Sequence, residues 1–127
     1  MTEYLDLDDL LAAAEAAVGG PPAVRDIGLL DAAAARPRSS VFGVDAYPDL
    51  DTKAAALLHS IVTSHPLVDG NKRLGWVAVR LFYLFNDDDV RPSADAAYEL
   101  VVAVADGRLR DVESIAERLA AWRTSGS

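Results

Sequence analysis

The run His65-Pro66-Leu67-Val68-Asp69-Gly70-Asn71-Lys72-Arg73 brings an imidazole, a carboxylate, an amide and two cations into one short stretch, and a long apolar segment follows at once. Proline disfavours α conformation in the residue before it, so a helix arriving from the N-terminal side should stop at His65. Gly70 permits a tight turn, and Asn71 to Phe85 reads as a new helix whose first N–H groups point back into that turn. Such a helix start is a cradle for an anion. Its unpaired N–H groups and the positive end of its dipole favour a phosphate, with Gly70 letting the backbone approach and Asn71, Lys72 and Arg73 as binding candidates. A carboxylate beside a polyphosphate points to Mg²⁺, which binds through one or two carboxylates plus phosphate oxygens, so Asp69 is the metal candidate. His65, at the edge of the cradle, is the candidate general base. Each of these residues alone fits a plain polar connection between helices. All of them together, just ahead of the most apolar helix, fit a phosphate or nucleotide site.

The elements that must hold this run are helical. Asp6 can cap a helix from about Leu7 to Val18, with Asp8 and Asp9 well placed in its first turn, and Gly19-Gly20-Pro21-Pro22 ends it. A second helix reads from Asp26 to Ala35, bounded by Pro37. From Arg36 to Leu50, Pro37, Ser39, Ser40, Gly43 and Pro48 break any helical pattern, and a loop of that length in a compact domain is often functional. The alternation in Ser40-Val41-Phe42-Gly43-Val44 permits a short extended flap, with Arg36, Arg38 and Phe42 as candidate substrate or nucleotide contacts.

Asp51 is the expected cap of a third helix reaching about Ser64, on which Ala54, Leu57, Leu58, Ile61 and Val62 share one side. His59 lies off the centre of that side and reads as a partly buried, hydrogen-bonded histidine rather than a catalytic one. Leu74, Val77, Ala78, Leu81, Phe82 and Phe85 leave the next helix almost no polar face, which makes it the centre of the fold. Arg80 on that helix should lay its stem along apolar surface and send its guanidinium to water or a carboxylate, and Trp76 reads as core. Asn86-Asp87-Asp88-Asp89 is a turn whose adjacent aspartates lack the alternating spacing of a calcium loop. Ser93 opens a helix to about Val104, stopped by Asp106-Gly107, and Asp111 caps a last one to about Trp122, with Thr124 to Ser127 fraying. The expected fold is all-α: about six helices in one domain over residues 1–127, with a flap hairpin before the third helix.

Composition narrows the function classes. A chain of 127 residues can bury roughly two-thirds of its unfolded surface, and without cysteines it has neither disulfides nor a thiolate metal site, which fits a cytoplasmic location. No basic patch leads into an N-terminal apolar stretch, so no signal peptide is expected, and Leu74 to Phe85 is too short for a membrane span. A formal net charge of −8 argues against direct binding to nucleic acid, whose affinity comes mainly from cations on phosphates.

His-Pro-Leu-Val-Asp-Gly-Asn-Lys-Arg resembles the Fic-domain signature, and specifically its death-on-curing (Doc) branch, where a lysine replaces the second glycine of the Gly-Asn-Gly-Arg form. Arg25 to Leu30, Ala35 to Arg38 with Phe42-Gly43, and Tyr47 to Leu50 through Lys53 to His59 are also similar to that branch. The resemblance implies the toxin of a type II toxin–antitoxin pair: an ATP- and Mg²⁺-dependent kinase that phosphorylates a threonine of elongation factor Tu, arrests translation and is held in check by an antitoxin. It implies His65 as base, Asp69 on Mg²⁺, and Gly70, Asn71, Lys72 and Arg73 on phosphates. The rival readings are an adenylyltransferase, as in the larger Fic group, and a catalytically silent antitoxin-binding module. Lys72 in place of glycine argues against the first, and the intact His65, Asp69 and Arg73 argue against the second. Three positions depart from the branch: Leu67 stands where phenylalanine is usual, and Gly75-Trp76 where smaller residues such as Thr-Ala are frequent. A glycine near a helix start costs up to about 1 kcal/mol against alanine.

Overall fold

A computed structural model describes residues 1–124. The fold is all-α. Among the described residues there are six α-helices: α1 (Leu7–Val18), α2 (Ile27–Ala35), α3 (Leu50–Ser64), α4 (Asn71–Phe85), α5 (Ala94–Ala105) and α6 (Val112–Ala121). A 3-10 turn at Arg36–Arg38 and an antiparallel hairpin of β1 (Ser40–Val41) and β2 (Val44–Asp45) lie between α2 and α3, where a flap is expected.

Short polar side chains start the helices. Asp6 accepts from the Asp9 N–H while the Asp9 carboxylate accepts from Asp6, a reciprocal capping box, and Asp26, Ser93 and Asp111 each accept from an N–H in the first turn of α2, α5 and α6. The expected cap of α3 needs correction. Asp49, not Asp51, receives the Thr52 N–H, and Thr52 reciprocates. Asp51 is instead drawn into the fold, where it accepts from the Tyr83 hydroxyl at 2.6 Å and lies 3.4 Å from Arg123.

The core is built on α3 and α4 jointly. α3 contacts α2, α4, α5 and α6, and its Ala54, Ala55, Ala56, Leu57, Leu58, Ile61 and Val62 are all buried. The three alanines give α3 a narrow girth, so neighbours approach from several sides at once. α4 buries Leu74, Gly75, Ala78, Val79, Phe82 and Tyr83, but Phe85 at its end is exposed, so α4 is less completely enclosed than its composition predicts.

Paired charges fix the far end of α4. Arg80 donates to both Asp89 oxygens, at 3.0 and 2.7 Å, and Arg91 adds a third contact at 3.2 Å. These bonds, Arg80's foremost, hold the Asp89 carboxyl down to about 2. Asp88 receives Arg123 at 2.6 Å, and the Thr124 N–H donates to the Asp89 carbonyl. The acidic turn is therefore an anchor for the C-terminal segment. Thr124, expected to fray, is bonded; the rest of that expectation falls on residues 125–127, outside the described residues. No described helix is long and apolar enough to cross a membrane.

Gly75 explains one departure noted above. A Cβ built there would lie 2.8 Å from Val62 Cγ1 and 2.9 Å from Leu58 Cδ1, both on α3. The absent side chain lets α4 lie directly against α3, which outweighs the propensity cost. Gly75→Ala is expected to destabilise the protein by about 1–3 kcal/mol through overpacking, read as a lowered urea midpoint; a variant as stable as wild type would mean the two helices part freely.

Candidate active site

The run from His65 to Arg73 is the reversal between α3 and α4. α3 ends at Ser64, and His65 takes the left-handed conformation, with φ 55° and ψ 61°. For a non-glycine residue that conformation costs about 1–2 kcal/mol, so it persists only where surrounding bonds fix it. Gly70, immediately before α4, has φ 89°, and a Cβ there would sit 2.7 Å from Val18 Cγ1 of α1. Conformation and space both require glycine at this position.

Between these ends, Leu67 anchors the loop. It is fully buried, so leucine fills the place where the resembling family has phenylalanine. Its N–H donates to Asn71 Oδ1 at 2.9 Å, and its carbonyl accepts from Asn71 Nδ2 at 3.0 Å. Asn71, an expected phosphate contact, is also part of the loop's own bracing. Both ends of its carboxamide are engaged by the loop backbone, and what it offers an anion is its N–H in the first turn of α4, where the four leading N–H groups lack intrahelical partners.

A strap from the N-terminal half braces the loop from outside. Val24 and Leu67 form an antiparallel bridge, the Val68 N–H donates to Ala23 O at 2.9 Å, and the Arg25 and Asp26 N–H groups both donate to Pro66 O. Nothing in the apolar pattern of residues 21–26 announces this pairing, because it is made by backbone.

His65, Asp69, Gly70, Asn71, Lys72 and Arg73 line one cleft of about 630 Å³. Its other wall is apolar and comes from Val62, Trp76 and the face of α5 that carries Ala94, Ala97, Tyr98, Val101 and Ala105. Sequence reading assigned this wall no role. The signal for it is the spacing of small residues around Tyr98, which α5 leaves 67% exposed. Trp76, read as core, does pack edge-on against Trp122, yet it also faces the cleft.

Asp69 has one oxygen on the Gly70 N–H at 2.9 Å, and its second oxygen has no protein partner among the described residues. No three metal-ligating side chains cluster among the described residues, so a closed all-protein metal site is not built here. A single available carboxylate beside a helix N-terminus does fit Mg²⁺ carried on a polyphosphate. Lys72 and Arg73 are exposed on the rim, and Arg73 spends one donor on Ala17 O at the end of α1, at 3.4 Å.

The flap residues separate. Arg36, an expected substrate or nucleotide contact, is turned inward, donating to the Tyr47 hydroxyl at 2.9 Å and Ser60 Oγ at 3.0 Å and lying 2.8 Å from His59 Nδ1. His59 is hydrogen-bonded and half-buried, as the sequence predicts, and burial together with Arg36 lowers its pKa. Arg38 lies over the Tyr4 ring, 5.0 Å from its centroid, and its Nη2 is 3.5 Å from Leu5 O, both in the segment before α1. Phe42, at the hairpin tip with φ 51°, is fully exposed.

A model of the Fic/DOC family matches residues 4–83 of this chain. The chain is also 51% identical over 124 residues to a protein from Mycolicibacterium smegmatis named Toxin Doc, covering 96% of this chain and 95% of that one.

Asn71→Ala is expected to leave the Leu67 N–H and carbonyl unpaired in a buried loop, at about 1–3 kcal/mol for each group. Hydrogen exchange should accelerate at the Leu67 amide while the α3 and α6 cores keep their protection. Unchanged exchange at Leu67 would show that the strap alone holds the loop.

Proposed function

The chain belongs to the Fic/DOC family, and from that premise we propose that it is the toxin of a toxin–antitoxin pair, acting as an ATP-dependent protein kinase on a translation factor. The observation that carries this reading is the meeting of His65, Asp69, Lys72, Arg73 and the N-terminus of α4 in one cleft. The threonine of elongation factor Tu that the Doc branch modifies is the proposed acceptor, which makes the cytoplasm the place of action.

In this reading the α4 N–H groups, Lys72 and Arg73 bind the triphosphate, and Asp69 holds the Mg²⁺ that arrives with it. The ion supplies charge neutralisation across the phosphates. His65 accepts the proton of the acceptor hydroxyl as that oxygen bonds to the γ-phosphorus; the bond from this phosphorus to the β,γ-bridging oxygen breaks, and ADP leaves. Phosphoryl transfer asks mainly for alignment and electrostatic stabilisation, and the chain supplies both without a covalent intermediate. The apolar wall around Trp76 and Tyr98 has the character of a base or ribose contact, and Phe42 on the flap that of an acceptor contact.

Lys72 selects between phosphate and AMP transfer. Where a glycine would let a phosphate lie close to the helix start, a lysine fills part of the space and adds a charge, which favours a triphosphate with its γ-phosphorus toward His65. ATP labelled at the α- or γ-phosphate tests this directly: the acceptor is expected to gain label from the γ position alone, and His65→Ala to abolish the gain while remaining folded. Label from the α position alone would replace the kinase by an adenylyltransferase, and label from neither would leave the silent module.

The proposed antitoxin contact follows from the family and from the charge of −8, which suits an amphipathic segment with a basic face. Mixing the antitoxin's binding segment with this chain should raise helical content by circular dichroism beyond the sum of the two. A spectrum equal to that sum would count against folding on binding.

A further inference from the structure

Arg25 stands on the strap, outside the cleft, and its guanidinium reaches His65, one of three non-glycine residues with a left-handed φ among the described residues and the one that lines the cleft. Its Nε donates to His65 O at 2.7 Å and its Nη2 to Ser64 O at 2.8 Å. These carbonyls lie at the C-terminal end of α3, where the helix leaves its last acceptors unpaired and the dipole favours a cation. The same residue's N–H donates to Pro66 O at 2.8 Å. Arg25 therefore grips three consecutive carbonyls, those of Ser64, His65 and Pro66, spanning the left-handed turn at His65.

The grip is itself anchored on both sides. The bridge of Val24 to Leu67 precedes it, and Asp26, which follows, caps α2, a helix packed on α3. Arg25 does not line the cleft, so its charge is not placed to bind a phosphate there. Whatever it contributes to reaction passes through His65.

We propose that Arg25 is a positioning residue that fixes the His65 backbone in its left-handed conformation and so aims the imidazole into the cleft. The proposal rests on the kinase reading only for the consequence in rate. Two bonds from one planar fork define an orientation that a single ammonium cannot, so lysine is an incomplete substitute. Because Arg25 is exposed, its loss strands no buried side chain, and the effect is confined to the turn.

The test is Arg25→Met, with Arg25→Lys as the variant that keeps charge and carries the same readouts should the first not fold. Four quantities are measured: the ¹H–¹⁵N heteronuclear NOE of the His65 amide and the melting temperature in the protein alone, and kcat and KM for Mg-ATP in transfer to elongation factor Tu. The His65 NOE is expected to fall in Arg25→Met, with the melting temperature within about 5 °C of wild type. kcat should fall about tenfold to a hundredfold with KM for ATP little changed, since misplacing a reacting group by about 1 Å costs rate and not nucleotide affinity. Arg25→Lys should lie between the two. A merely structural cap would lower the melting temperature and leave kcat alone. An unchanged His65 NOE, or an unchanged kcat in a folded Arg25→Met, overturns the proposal. A wild-type protein that transfers no phosphate overturns the kinase reading alone, and the amide measurement then decides the role of Arg25 without it.

Discussion

The close passage of α4 across α3 at Gly75 is the constraint on which the rest depends. With the two helices in direct contact, the chain must reverse between Ser64 and Asn71 in a few residues, and that reversal is the site. A wider separation would demand a longer connection, with His65 and the first turn of α4 held by different parts of the loop. The tight version ties imidazole, carboxylate and helix N-terminus to the same buried residue, Leu67, whose backbone Asn71 closes from the α4 side while the strap bonds its neighbours Pro66 and Val68. Packing in the core thus sets the geometry of groups that are themselves exposed.

The two helix ends that meet there are treated in opposite ways. At the end of α3 the carbonyls are covered, with the Ser64 and His65 oxygens taken by the Arg25 guanidinium and the Pro66 oxygen by the Arg25 and Asp26 N–H groups. At the start of α4 no side chain caps the N–H groups, in contrast to α1, α2, α3, α5 and α6, each of which has an aspartate or serine in that place. A capping carboxylate at Gly70 would compete for the donors that an anion needs. The chain satisfies the negative helix end internally and leaves the positive one without a side-chain cap.

Much of this was legible in the sequence because it depends on residue type at short range. The Asp6, Ser93 and Asp111 caps, the span of α4, the stop at His65 and the hairpin each follow from a few neighbouring residues, and the same holds for the chemical inventory from His65 to Arg73. What was not legible depends on contacts between distant segments. Asp49 and Asp51 both precede an apolar run, and only the position of Tyr83 and Arg123 shows why the second is unavailable as a cap. Arg36 and Arg38 sit beside a flap in sequence, yet Tyr47, His59 and Tyr4 claim them. The α5 wall of the cleft and the strap at Ala23 to Asp26 have the same cause: one needs the packing of α5 on α4, and the other is a backbone pairing that leaves no side-chain pattern.

The cations of this acidic protein, of formal charge −8, fall into two groups. Lys53 is buried between Asp45 and the Tyr47 carbonyl, Arg36 is bonded inside the flap base, and Arg80 and Arg123 are paired with Asp89 and Asp88. Their charge is offset or directed inward. Lys72 and Arg73, by contrast, stand exposed on the cleft rim with no ion-pair partner among the described residues, next to uncapped N–H groups. Under the proposed function the helix dipole and these two exposed side chains favour an anion at the rim despite the net negative charge of the chain, and the apolar wall from Trp76 and α5 strengthens their field. Asp69 is the exception within this patch, and its charge becomes an advantage only when the incoming anion carries a divalent cation. Under the proposed function, bare phosphate should therefore be disfavoured relative to a magnesium complex, because a carboxylate repels the first and can hold the metal of the second.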